Sequence, residues 1–254
     1  MRILIGSVLL KNKICKPLQI SELFDFAENL GKFSVLQSNN EVNAAKFLIN
    51  AMGLPAAFDP KKSWDTLKCL YYLVKNTQVN SNILDAGSSS DSVILNWLSL
   101  LGYENLYACD LRPADKKRYS NKKINFSVQD LTNTNYPDNF FKVVTSISVI
   151  EHGVDLGKYI KEMSRIIQPG GFLLNSTDYW PEFIDCKGIY PYGKKMGEMK
   201  VFQRKDIENL CSLAGSYGFQ PCSNADYNAL EKVVRWERVN REFSFIFIPF
   251  KKGE

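Results

Sequence analysis

The chain has 254 residues, 45% of them hydrophobic and 23% charged, with a formal net charge of +5. Those values exclude a disordered or fibrous chain, and the charge falls short of the basic excess of a dedicated nucleic-acid binder. Six cysteines are scattered without a C-x-x-C pair beside a single histidine, so no Cys/His zinc site is indicated and the thiols read as reduced residues of a cytoplasmic protein.

At the start, Arg2 and an apolar run over 3–10 faintly resemble a signal peptide. Lys11, Lys13 and Lys16, however, stand where small residues would define a cleavage site. No segment approaches the ~20 apolar residues of a membrane span. Ile20, Leu23, Phe24, Ala27 and Leu30 recur at helical spacing. Asn40 is placed to cap a second helix carrying Val42, Ala45, Phe47, Leu48 and Met52, which Gly53 and Pro55 end. Ser63 is placed to cap a third, carrying Trp64, Leu67, Leu70, Tyr71 and Val74; a polar linker over 76–82 follows. Residues 1–80 thus read as a helical attachment, either plain packing or a lid over a site in the next domain.

From Asn82 the pattern alternates. Strands are expected over 83–86, 106–109, 124–128, 143–148 and 172–176, with helices over 92–101 and 154–168 between them. In the second of these helices Leu156, Tyr159, Ile160, Met163 and Ile167 share a face, and Pro169-Gly170-Gly171 is read as its terminator. A helix over 204–217 and an aromatic strand over 243–248 complete the series. Such alternation implies a parallel sheet with helices on both faces.

Ligands of doubly wound sheets sit beyond the carboxyl ends of the strands. Three predicted strand ends carry an acid: Asp85, Asp110 and Asp130. Singly, each reads as a cap or a turn residue; their repetition points to a shared ligand. The first turn, Gly87-Ser88-Ser89-Ser90-Asp91, lacks the glycines of a dinucleotide fingerprint, and no P-loop occurs. Asp91 at the helix start would also repel a phosphate. The turn suits a nucleoside without phosphates, and the neighbouring carboxylate suits a ligand with positive charge. Asp110, about 20 residues on, is placed to accept hydrogen bonds from ribose hydroxyls.

Ile83-Leu84-Asp85-Ala86-Gly87, Ala108-Cys109-Asp110, Gln129-Asp130-Leu131, Ser148-Val149-Ile150-Glu151-His152 and Ile166-Ile167-Gln168-Pro169-Gly170-Gly171 follow one another in order. Over 82–178 the chain resembles the core of class I S-adenosylmethionine-dependent methyltransferases, although the usual glycine-rich turn is mostly serine. The resemblance does not reach residues 1–80. It implies an α/β fold: a doubly wound, mostly parallel seven-stranded sheet over 81–254; the residues themselves add a substrate-facing insert over 179–201 and an N-terminal helical cap or lid over 1–80. S-adenosyl-L-methionine is the implied cofactor. Asp85, Ala86 and Gly87 would lie by its methionine part. Asp110 would hold the ribose hydroxyls, with Leu111 against the adenine. Asp130 would meet the adenine amino group beside Leu131, and Ser148 and Val149 would line the cofactor.

His152, the sole histidine, follows the fourth strand and is a candidate base, with an ordinary pKa near 6.5. Glu151 reads as a cap or anchor of the adjacent helix. The insert opens on Asp178, Tyr179 and Trp180 and holds Tyr190, Tyr192, Lys194 and Lys195. Its aromatics could stack on a sugar or ring, and its lysines could meet a phosphate or carboxylate; otherwise it is a solvated loop. The expectation is a cytoplasmic methyltransferase acting on a hydroxyl or amine of a small molecule, with a sugar or glycan precursor favoured. No metal and no nucleic acid are expected. No Asn-Pro-Pro-Tyr-type motif follows the fourth strand, which reads Ser146-Ile147-Ser148-Val149. A non-catalytic scaffold stays open, and so does a nicotinamide-dependent oxidoreductase, against which the missing glycines argue.

Overall fold

The computed structural model describes residues 20–89, 91–113 and 121–254. The leader-like run with Lys11, Lys13 and Lys16 lies outside these residues, as do Ser90 and the side chains of Ile20 and Phe24. Three helices come first: α1 (Ile20–Glu28), α2 (Asn39–Ala51) and α3 (Lys62–Asn76), with a two-residue strand, β1 (Ser34–Val35), between α1 and α2. Then follow β2 (Ile83–Ala86), α4 (Val93–Leu100), β3 (Leu106–Asp110), β4 (Ile124–Val128), β5 (Phe141–Ile147), α5 (Leu156–Ile166) and β6 (Ile167–Tyr179). The chain ends with α6 (Arg204–Ser216), β7 (Phe219–Pro221), β8 (Val234–Trp236) and β9 (Arg241–Lys252).

A path of seven strands is present, in the order β1-β9-β6-β5-β2-β3-β4, but its edge strand β1 comes from residues 34–35, in the region expected to be helical, and two short strands extend the sheet to nine. Strands β2 to β6 are parallel; β9 runs antiparallel between β6 and β1. The aromatic strand is therefore interior. Along one side it pairs in turn with β8, β1 and β7. Consecutive residues of the strands face opposite cores. Ile83, Val143, Leu174 and Phe247 join Trp64, Leu67, Leu70 and Leu98 of α3 and α4. Leu84, Val144, Leu173 and Ile248 join Tyr159, Met163, Ile207 and Leu210 of α5 and α6. That two-residue alternation, with apolar residues on both faces, is what a sheet covered by helices on each side requires.

The amino-terminal helices share the first of these cores. Leu23, Ala27, Leu30, Val42, Ala45 and Leu48 belong to it, and α3 packs on β5 and β9. Two expected caps are displaced. Ser38 occupies the N-cap position of α2, so Asn40 lies inside that helix. Lys61 precedes α3, so Ser63 sits in its first turn, where its hydroxyl is buried without a hydrogen-bond partner. Pro169-Gly170-Gly171 does not terminate a helix. α5 ends at Ile166 and passes straight into β6, and the triplet lies where β6 shifts register against β5 between Phe141 and Val143. A Cβ on Gly171 would meet the Ile167 side chain at 2.6 Å and the carbonyl oxygens of Gln168 and Lys142 at 2.8 Å. The glycine therefore serves a tight bend in the strand, not a helix stop.

The order of strands reverses at β2: β3 and β4 lie to one side, β5 and β6 to the other. The crevice beyond the carboxyl ends of β2 and β5 is where such a sheet offers a ligand site.

Candidate active site

The turn after β2 brings backbone close to the loop after β5. Gly87 has φ +84°, and a Cβ there would stand 2.4 Å from a methyl of Val149. Only glycine fits this approach. Beneath the turn, Asp85 is buried and accepts hydrogen bonds from Ser92 Oγ and Thr145 Oγ1, both at 2.6 Å. The Ser88 hydroxyl donates to the Asp85 carbonyl at 3.0 Å, and Ser92 Oγ accepts from Leu95 N at 3.2 Å, capping α4. The serines thus tie the turn to the end of β2. Burial raises the Asp85 pKa, and the three hydroxyls oppose that shift. Asp85 and Ala86 support the turn from below and line neither cavity described next.

Two adjoining cavities open above the strand ends. One, of about 450 Å³, is lined by Gly87, Asp110, Leu111, Asp130, Leu131, Ser148, Val149 and His152, with Lys194 and Lys195 at its rim. The other, of about 770 Å³, shares Gly87, Asp110, Arg112 and Tyr192 with it and adds Asp91, Tyr190 and Arg238. Asp110 Oδ1 accepts from Arg112 N at 2.8 Å, and Asp130 Oδ1 accepts from the Thr132 backbone and hydroxyl at 2.8 and 2.7 Å. Each carboxylate therefore fixes its own turn through one oxygen, and a carboxylate has further acceptor positions to offer. Leu111 is exposed beside them.

Across the crevice, Ser148 takes the left-handed conformation, φ 53°. Its hydroxyl meets Nζ of Lys62, from α3. The same ammonium lies 3.4 Å from Asp65 Oδ2 and 3.3 Å from the centre of the Phe245 ring. Asp65, Glu151 and Asp178 are all buried here. Asp65 accepts from Ser176 Oγ at 2.8 Å and Glu151 from Thr177 Oγ1 at 2.9 Å, while Glu151 Oε1 has no partner. Burial pushes the Asp65 carboxyl up despite Lys62. Burial and the Glu151 charge push Asp178 well above the usual carboxylate range. Glu151 thus lies among buried acids at the end of β6.

His152 lines the smaller cavity. Its Nδ1 is buried without a partner, and its ring meets the Tyr192 ring edge-on at 4.8 Å and Trp236 at 6.1 Å. Burial lowers its pKa below the ordinary value; Glu151 opposes this, and Lys62 and Arg112 add to it. The imidazole is therefore neutral at pH 7. The insert leaves β6 at Tyr179 and is closed at its base by Trp180 N to Phe202 O and Phe202 N to Asp178 O. It is pressed to the loop after β5 where a Cβ on Gly153 would stand 2.7 Å from Gly197 Cα. Tyr190 and Tyr192 reach the larger cavity. Tyr179 does not: it is buried and donates to the Tyr227 carbonyl at 2.9 Å. Trp180 is half-buried beneath Lys232. The sequence reading overlooked Lys62, Asp65, Arg112, Trp236 and Arg238. Of these only Arg112, two residues after Asp110, stood next to a motif that could have disclosed it.

A methyltransferase-domain family model matches residues 84–175. Norajmaline N-methyltransferase of Rauvolfia serpentina is 43% identical over 116 residues, which are 45% of this chain and 34% of that protein. The chain thus matches about a third of the length of that relative. Among solved structures, a putative sarcosine dimethylglycine methyltransferase from Galdieria sulphuraria superposes with a TM-score of 0.56 at 13% identity, over 83% of this chain and 98% of that one. The [4+2]-cyclase SpnF gives 0.56 at 13% identity, over 87% and 99%. At such identities these two speak for the fold alone. The match over residues 84–175 makes that segment similar to a methyltransferase domain, and the strand order and the crevice agree with it.

Proposed function

We propose that the protein transfers a methyl group from S-adenosylmethionine to a hydroxyl or amine of a small molecule, with a sugar or glycan precursor as the favoured class. The observation that carries this reading is the crevice itself. Two strand-end carboxylates, Asp110 and Asp130, stand on one side; His152, Ser148 and the aromatic insert stand on the other. The residues fit the cofactor. Gly87 leaves bare backbone toward Val149, where a side chain would fill the space. Asp110 and Asp130 offer acceptors to ribose hydroxyls and to the adenine amino group, and Leu111 offers exposed apolar surface to the ring. Domain roles follow: 81–254 binds the cofactor, and the amino-terminal helices wall the acceptor side through Lys62.

When bound, the cofactor supplies a methyl group already activated on a sulfonium, so alignment is the protein's main task. His152, neutral at pH 7, holds the proton that leaves the acceptor. Tyr190 and Tyr192 cover the reacting region and exclude water. The amine alternative is supported by the buried acids Asp65, Glu151 and Asp178 next to Ser148, and by the N-methyltransferase named above. The scattered thiols, of which Cys69, Cys109, Cys186, Cys211 and Cys222 are free, support a cytoplasmic setting. No helix among the described residues is long and apolar enough to cross a membrane.

The test is S-adenosylhomocysteine release measured by mass spectrometry over a panel of sugars, sugar nucleotides and amino sugars. Release that depends on an acceptor supports the reading, and the acceptor that elicits it decides between hydroxyl and amine. Cofactor binding with no release from any acceptor would favour a scaffold.

A further inference from the structure

The larger cavity holds an arrangement to which the cofactor reading above gives no role. Arg112 follows β3, and Arg238 comes from the single turn of 3-10 helix, Glu237–Val239, that joins β8 to β9. Their guanidinium carbons lie 5.1 and 5.7 Å from the centre of one ring, that of Tyr192. Two cations on one aromatic ring repel each other unless an anion joins them.

Arg238 differs from the other described arginines. Arg165 pairs with Glu162 and Asp138, Arg204 with Glu208, and Arg235, three residues before it, with Glu237 and Glu242. Arg241 donates to the Asp185 carbonyl at 2.7 Å. Among the described residues Arg238 has the Tyr192 ring and no hydrogen-bond or ion-pair partner. Arg112 spends its backbone N and its Nε on Asp110, at 2.8 and 3.4 Å, which leaves its two terminal nitrogens uncommitted among the described residues. Asp91 and Asp110 line the same cavity. Arg112 already offsets Asp110, so the field favours an anion at the Arg238 end.

We infer that Arg112 and Arg238, spaced by Tyr192, form an acceptor subsite for an oxyanion, a phosphate ester or a carboxylate. Paired guanidinium forks are suited to that geometry. The inference deepens the methyl-transfer reading and rests on it for the word acceptor. The Tyr192 ring touches the His152 ring at one side and receives both guanidinium groups, so the anionic group lies one aromatic ring from the candidate base. The acceptor is thus a small molecule that carries its negative charge close to its own atom that receives the methyl group.

The experiment titrates the full chain by calorimetry with inorganic phosphate, pyrophosphate and acetate, with and without saturating S-adenosylhomocysteine. Wild type, Arg238→Ala, Arg112→Ala and, as a control, Arg235→Ala are compared. Saturable anion binding that weakens at least tenfold in Arg238→Ala and Arg112→Ala, and is unchanged in Arg235→Ala, supports the subsite. Tighter phosphate than acetate points to a phosphate ester, and the reverse to a carboxylate. No saturable anion binding in wild type, or equal binding in wild type and Arg238→Ala, overturns the proposal. So does an Arg238→Ala variant whose only defect is weaker S-adenosylhomocysteine binding, since the arginine would then serve the cofactor's carboxylate. Anion binding that survives where S-adenosylhomocysteine fails to bind wild type breaks the methyl-transfer reading and leaves the anion site standing.

Discussion

The two sides of the crevice are built differently. On the β2–β3–β4 side, each candidate residue lies in or just after the strand that places it, and most of its partners are close in sequence. Asp110 is held by Arg112 and Asp130 by Thr132, each two residues on, and Asp85 by Ser92, seven residues on, with Thr145 as its one remote partner. On the β5–β6 side the partners are remote. Lys62 meets Ser148 across 86 residues, Ser176 donates to Asp65 across 111, and the Arg238 turn reaches the insert through Tyr192. The first side is a set of local turns that a fold can keep while its reaction changes. The second exists only when α3, the insert and the β8–β9 turn are all packed in place. The division suits a constant cofactor on one side and a particular acceptor on the other.

Substitutions that separate binding from turnover test that division. His152→Ala is expected to lower kcat by about 10²–10⁴-fold, the range of a lost acid–base group, while cofactor affinity is kept. Because burial holds the His152 pKa below 6.5, the acidic limb of the kcat/KM profile in wild type should lie below that pH and vanish in the variant. A limb above 6.5, or an unchanged kcat, would remove His152 as the base. Gly87→Val should be the most damaging change on the cofactor side. It sets a β-branched residue at φ +84° and drives its Cβ to 2.4 Å from Val149, a strain and overpacking cost of about 2–4 kcal/mol. Thermal unfolding and cofactor titration measure where that cost falls, and wild-type values in both would show that the close approach is not obligatory.

A smaller effect is expected from the buried acids. The Asp178 carboxyl has a raised pKa in the folded chain, against about 3.9 when unfolded. Its contribution to stability is complete below about pH 4 and is lost as pH rises through the folded value. Asp178→Asn, which removes the buried charge, should therefore be more stable than wild type at pH 8, by about 1 kcal/mol. The advantage should disappear toward pH 4 in unfolding curves. An advantage that grew on acidification would mean that the carboxylate is charged and well paired.

The same contrast governs what could be read from the chain alone. The strands β2 to β5 and the positions of Asp110, Asp130 and Gly87 at strand ends were legible because each is a short-range pattern. The Pro169-Gly170-Gly171 triplet was misread because proline and glycines stop helices and bend strands alike; only the register of β6 against β5 decides between the two. Ser63 has the chemistry of a cap, but the helix starts at Lys62 with Lys61 at its N-cap, two residues earlier, and Ser63 is buried inside its first turn. The acceptor side was mostly illegible. Nothing near Lys62 or Arg238 announces a site, and it is tertiary packing that brings them to Ser148 and Tyr192.

The measurement that tests the central claim most directly is calorimetric titration of wild type and Asp110→Ala with S-adenosylmethionine, S-adenosylhomocysteine and a nicotinamide dinucleotide. The account predicts saturable binding of the two sulfur ligands alone, weakened by roughly 1.5–3 kcal/mol in Asp110→Ala through lost charge-assisted ribose hydrogen bonds. Binding of the nicotinamide ligand in their place, or equal affinity in a folded Asp110→Ala variant, would contradict it.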